Sequence, residues 1–128
     1  MSTNEYNEIN GIISSDELYK EITETQNHPE YHTTVINVLP PQYFADCHIK
    51  DSINIEAHLI ADYVEDWDRA KFIVIYSASD DLSVSQHAYK RLIAMGFKYV
   101  RILSDGMNGW LSNGYPTDGA CKMDYLHS

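Results

Sequence analysis

Six residues, Ser77-Ala78-Ser79-Asp80-Asp81-Leu82, concentrate two hydroxyls and two adjacent carboxylates. Such a segment could cap a helix, present a nucleophilic serine, or hold a neutral or cationic ligand beside its acids. A serine hydroxyl attacks only when a hydrogen-bonded base takes its proton. The nearest histidine along the chain, His87, lies two helical turns further on, and no spacing sets it against Ser77. Ser and Asp are favoured capping residues, so Ser79, Asp80 and Asp81 are expected to cap the helix that follows. Two carboxylates there would also repel an anionic substrate.

The second candidate nucleophile is Cys47, with His48 beside it. A thiolate attacks readily, but adjacent side chains usually point in different directions, and a small buried cysteine is a common core residue. Cys121, near the end of the chain, reads as incidental. Two cysteines are too few for a disulfide framework, and both are expected as free thiols. Among six histidines, His28 and His32 bracket Pro29, while His48, His58, His87 and His127 lack zinc-type spacing. No metal and no other cofactor is expected. The ten tyrosines are interspersed with apolar residues and read as core edges rather than a base-stacking surface.

The elements around the loop explain why it commands attention. Phe72-Ile-Val-Ile75 is a short apolar run that fits a strand buried on both faces. After the loop, Val84, Ala88, Leu92 and Met95 recur at helical spacing, and Gly96 follows where a helix commonly ends. In open α/β sheets, ligands bind outside the carboxyl ends of strands, at loops of this kind. Upstream, Gly11-Ile-Ile13 could add an edge strand, and Ser14 with Glu17 forms a capping-box signature opening a helix from Ser15 to Gln26. Thr33–Val38 and Ser52–Ile55 read as strands, with Pro41 starting a short helix to Asp46 between them. Glu56–Trp67 carries Leu59, Ile60, Tyr63 and Val64 as a helical face. Tyr99–Leu103 reads as a strand, followed by a turn at Ser104–Gly106 and a short helix bearing Met107, Trp110 and Leu111. Strands alternating with helices at this density imply βαβ units and a parallel sheet covered on both faces.

At 128 residues the chain is expected to form one domain. Its net charge of −10 is uneven: residues 1–70 hold 14 acids against 3 bases, and residues 71–128 hold 5 against 6. An acidic first half argues against nucleic acid as a partner, which needs clustered Lys and Arg. No apolar run has the length of a membrane span, and no basic-then-apolar leader is present, so a cytoplasmic protein is expected.

Three further segments, in order, resemble the rhodanese-like family, whose members transfer sulfur through a cysteine persulfide. Val35-Ile-Asn-Val-Leu39 is similar to its Asp-Val-Arg strand end, and Tyr43 to Ile55 to its Glu-Phe…Gly-His-Ile-Pro-Gly-Ala-Ile-Asn-Ile segment. Gly96 to Trp110, then Gly114-Tyr-Pro116, resembles its closing strand, turn and helix. The resemblance implies a single rhodanese-like α/β domain over residues 12–118, with a central parallel five-stranded sheet and helices on both faces. A polar segment, 1–11, precedes it and a patternless tail, 119–128, follows. The functional positions depart from the family. Its Cys-x-x-Gly-x-Arg loop is here Ser77, Asp80 and Leu82 at the cysteine, glycine and arginine places; Asn37 and Leu39 replace an acid and an arginine, and Cys47 replaces a glycine. The expected protein is therefore a catalytically inactive relative, a binding or regulatory module offering the Ser77–Leu82 loop to a protein partner or small ligand that is neutral or cationic. The alternatives are a sulfurtransferase using Cys47 or another non-standard nucleophile, an unrecognised reaction at Ser77, and an oligomeric stabiliser with no ligand. Nothing in the sequence sets an oligomeric state.

Overall fold

β-Branched, apolar runs become the strands of one sheet. A computed structural model describes residues 11–126. The strands are β1 (Ile12–Ile13), β2 (Thr34–Asn37), β4 (Ile53–Asn54), β5 (Phe72–Tyr76) and β6 (Tyr99–Leu103), all parallel, in the order β1-β6-β5-β2-β4. β5 is central, with Val74 in register with Val35 on one side and Arg101 on the other. Its apolar run has no polar alternation because both faces are covered.

The pleat divides the core in two. Val35, Val74 and Tyr76 face one side with Leu18 of α1 (Ser15–Glu24) and Met107 and Trp110 of α5 (Gly106–Ser112). Ile36, Ile73 and Ile75 face the other, with Ile60 of α3 (Ile60–Tyr63) and Ala88 and Leu92 of α4 (Ser83–Ala94). Each fully buried Ile, Leu or Val contributes roughly 1.5–3 kcal/mol. The Ser14–Glu17 capping box is present with both bonds made. Glu21 on the same helix accepts a two-pronged bond from Arg101 at 2.9 and 2.7 Å. Burial pushes the Glu21 carboxyl up, but the bonds from Arg101 and Thr33 outweigh it and hold the carboxyl below its usual range.

Four expectations require correction. The helix over Glu56–Trp67 shrinks to a 3₁₀ turn, Ala57–Leu59, and the single turn of α3. Arg69 ends it, its guanidinium taking the carbonyls of Trp67 at 2.7 Å and Glu65 at 3.1 Å that a longer helix would have used. Tyr63, read as part of the buried face, is 62% exposed. On α4 the stripe begins one residue later than its apolar residues suggest: Val84 is 41% exposed and Ser85 is buried in its place.

The third correction concerns the cysteines. Cys47 and Cys121 are joined in a disulfide across a sequence separation of 74. Cys47 follows the short helix α2 (Pro41–Asp46) and is fully buried. Fourth, the end of the chain is patterned. β7 (Thr117–Asp118) pairs antiparallel with β3 (His48–Ile49), and a 3₁₀ turn, Asp124–Leu126, buries Leu126. The polar segment expected over 1–11 lies, but for Gly11, outside the described residues. Among those described, no helix is long and apolar enough to cross a membrane.

Candidate functional site

The loop between β5 and α4 is held from beneath by α5. Met107 donates its amide to the Ser77 carbonyl and Asn108 donates to that of Ala78, both at 2.9 Å. Gly106, at φ +61°, lets the two backbones meet; a Cβ there would lie 2.7 Å from the Ser79 nitrogen and 2.8 Å from the Ser77 carbonyl oxygen. The loop is thus seated on a helix N-terminus rather than standing free.

Ser77 is 3% exposed. Its hydroxyl accepts from that of Ser85 at 3.1 Å and donates to the Asp81 carbonyl at 3.5 Å. Neither neighbour is a base, so no group in contact with Ser77 activates it. His87 is exposed and lies elsewhere. Ser85 is the residue that sequence reading missed: a serine among apolar spacings looks like a solvent position until its hydroxyl is found paired inside.

The acids divide. Asp81 accepts the Ser83 amide at 3.1 Å through its carboxylate, which closes the first turn of α4. That backbone bond, with the Ser83 side chain, holds the Asp81 carboxyl below its ordinary range. The formal cap is Leu82, which packs its side chain on the α3–α4 core. Ser79 only receives the Asp81 amide at 3.5 Å, and Asp80 is exposed. Capping therefore falls to Asp81 alone. Asp81→Ala should lower the melting temperature at neutral pH, whereas Asp80→Ala should leave it unchanged. A carboxyl depressed by folding stabilises above its unfolded range, near about 3.9, and loses that effect as pH falls through the folded value. The gap between wild type and Asp81→Ala should thus close in acid; equal melts for the two variants at pH 7 would refute the assignment.

Beside the loop runs an open groove of about 430 Å³. Val38, Pro40, Ala57 and Val84 supply apolar wall, and Glu56, His58 and His87 are its ionisable groups. His58 Nδ1 stands 3.7 Å from Glu56 Oε2. No Lys or Arg lines it. Among the described residues no cluster of three or more His, Cys, Asp or Glu is arranged to hold a metal.

Beneath the loop, Tyr76 ends β5 in a buried network. Its hydroxyl accepts from the Ile49 amide at 3.0 Å and meets Ser52 Oγ at 2.8 Å. Burial pushes the Tyr76 hydroxyl up against these bonds. Asn37 accepts from the Leu39 amide at 2.9 Å.

Cys47 and His48 are engaged with different partners. The Cys47 sulfur is in the disulfide, while the His48 ring stacks on Phe44 at 3.8 Å and its Nδ1 bonds the Phe44 carbonyl at 2.8 Å.

The family model described as Rhodanese-like domain matches residues 14–113. The thiosulfate sulfurtransferase GlpE of Pseudomonas syringae pv. syringae is 32% identical over 89 residues, 70% of this chain and 81% of that protein. Among solved structures, the BH2092 protein from Bacillus halodurans superposes with a TM-score of 0.79 at 18% identity, covering 98% of this chain and 90% of that one. The rhodanese-like domain of Alr3790 from Anabaena sp. gives a TM-score of 0.71 at 21% identity, covering 88% of this chain and 82% of that one.

Proposed function

We infer the function from one premise: the chain belongs to the rhodanese-like domain family. It is a member that binds rather than turns over, a regulatory or adaptor module whose Ser77–Leu82 loop and adjoining groove receive a neutral or cationic partner. The observation that carries this reading is the state of Ser77. A hydroxyl stands at the head of the loop, buried and paired with Ser85, where sulfur transfer would need an accessible thiolate. The groove adds support: with one carboxylate and no Lys or Arg among its lining residues, it offers an anion such as thiosulfate no fixed positive charge.

The name carried by the Pseudomonas syringae relative favours the other reading, a sulfurtransferase, and Cys47 would then be the carrier. Its complete burial and its bond to Cys121 speak against that role. Thiosulfate:cyanide sulfurtransfer, assayed on the oxidised and the prereduced protein, should stay at the level of a thiol-free blank. Turnover that vanishes in Cys47→Ser would restore the enzyme reading.

A further inference from the structure

We propose that Cys47 and Cys121 form a redox-responsive thiol–disulfide site, exchanging with a low-molecular-weight thiol/disulfide couple, whose oxidation straps residues 117–126 onto the domain. The inference does not depend on the binding reading above. Where the surroundings are reducing, a disulfide is usually transient and redox-sensing rather than a permanent brace.

The strap is built to bring the two sulfurs together. β7 pairs with β3 immediately after Cys47, with Asp118 opposite His48 and Thr117 opposite Ile49. The Cys121 amide then donates to the Asp46 carbonyl at 2.8 Å. The Lys122 and Met123 amides donate to the two oxygens of the Asp46 carboxylate, each at 3.1 Å. Asp46 therefore holds three successive strap amides and brings the Cα atoms of residues 47 and 121 to 4.5 Å. Beyond it, Asn108 Nδ2 donates to the Tyr125 carbonyl at 2.9 Å. The Asn108 backbone amide also holds the Ala78 carbonyl of the candidate loop. Strap and loop share that residue, so release of one loosens the seat of the other.

The chemistry balances with the couple named. In oxidation the two thiols lose two protons and two electrons, the Cys47–Cys121 bond forms, and one low-molecular-weight disulfide becomes two thiols. In reduction a thiolate attacks Cys121 Sγ, which is only partly buried. The S–S bond breaks and Cys47 leaves as a thiolate; a second thiol then resolves the mixed disulfide, freeing Cys121. The departing thiolate would form in the apolar cluster around Cys47, a poor setting for charge. Reduction therefore proceeds chiefly after the strap opens, and its rate follows the open population.

The test equilibrates the full chain in graded mixtures of reduced and oxidised glutathione, alkylates, and counts thiols by mass. Both thiols should appear together in one two-electron transition. Hydrogen exchange at the Cys121, Lys122 and Met123 amides should quicken at least about tenfold in the reduced form, with a smaller gain at Met107 and Asn108 and none in β5. Asp46→Ala, which removes two carboxylate bonds, should speed reduction of the oxidised protein by about tenfold. Thiols that stay free at the oxidising end, strap exchange that ignores redox state, or Asp46→Ala reduced no faster than wild type would each overturn the proposal. The first two readouts use the unaltered chain and stand even where the variant folds poorly. Neither depends on sulfurtransfer or on a bound partner.

Discussion

Gly106→Ala should destabilise the protein by about 3 kcal/mol and unseat the Ser77–Leu82 loop. Two effects combine. At φ +61° an alanine carries left-handed strain of about 1 kcal/mol. The added Cβ would also stand 2.7 Å from the Ser79 nitrogen and 2.8 Å from the Ser77 and Ser79 carbonyl oxygens. All three are backbone atoms, which cannot rotate away as a side chain would. The start of α5 must retreat, and the Met107–Ser77 and Asn108–Ala78 bonds go with it, each worth roughly 0.5–1.5 kcal/mol. Gly96→Ala is the control: its φ is +97°, but nothing lies within 4 Å of the added carbon, so only the conformational strain remains. Urea denaturation of the two variants separates contact from strain. Equal losses would mean that the close approach of α5 does not hold the loop.

Where local chemistry dictates structure, the chain could be read without coordinates. The apolar run Phe72–Ile75 became the central strand, the Ser14–Glu17 pair became a capping box, and Pro41 opened α2. What escaped depended on distant partners or on a small angular offset. Around a helix, one residue is about 100°, so reading Leu59 and Tyr63 together with Ile60 and Val64 overstated the buried face. Ser85 was invisible because its burial rests on a hydroxyl partner eight positions back. The strap was hidden for a related reason: Cys47 and Cys121 are 74 positions apart, and the amides that register them meet Asp46, whose role no spacing reveals. The loop itself was found at the right place in the fold, but the division of labour between Asp80 and Asp81 needed the backbone geometry.

Ser77→Cys alone should remain at the blank level in sulfurtransfer, and the physical reason differs from the one the sequence suggests. Read from sequence, the obstacle is repulsion of an anionic substrate by Asp80 and Asp81. Both acids are exposed, however, and Asp81 is engaged with the Ser83 amide; water screens such charges strongly. The larger obstacle is burial. A thiol at position 77 would inherit a site that is 3% exposed and be desolvated, which disfavours the thiolate; the Ser85 hydroxyl is the neighbour positioned to donate to it. Leu82 packs on the core and offers an incoming thiosulfate no cation. Adding Leu82→Arg would place a guanidinium at the start of α4, and Asp80→Gly would remove one carboxylate and free the loop backbone. A charge-assisted contact of about 1.5–3 kcal/mol, realised in the transition state, corresponds to roughly 10–100-fold in rate. The triple variant should therefore exceed the single by at least about tenfold, yet stay weak. Withdrawing Leu82 from the core costs about 1–2 kcal/mol, and Asn37 and Leu39 still stand where the family carries an acid and an arginine. Side-by-side assays, with Cys47 and Cys121 held in their disulfide, decide the matter. If the single variant turns over as fast as the triple, the missing cation is not what silences this loop.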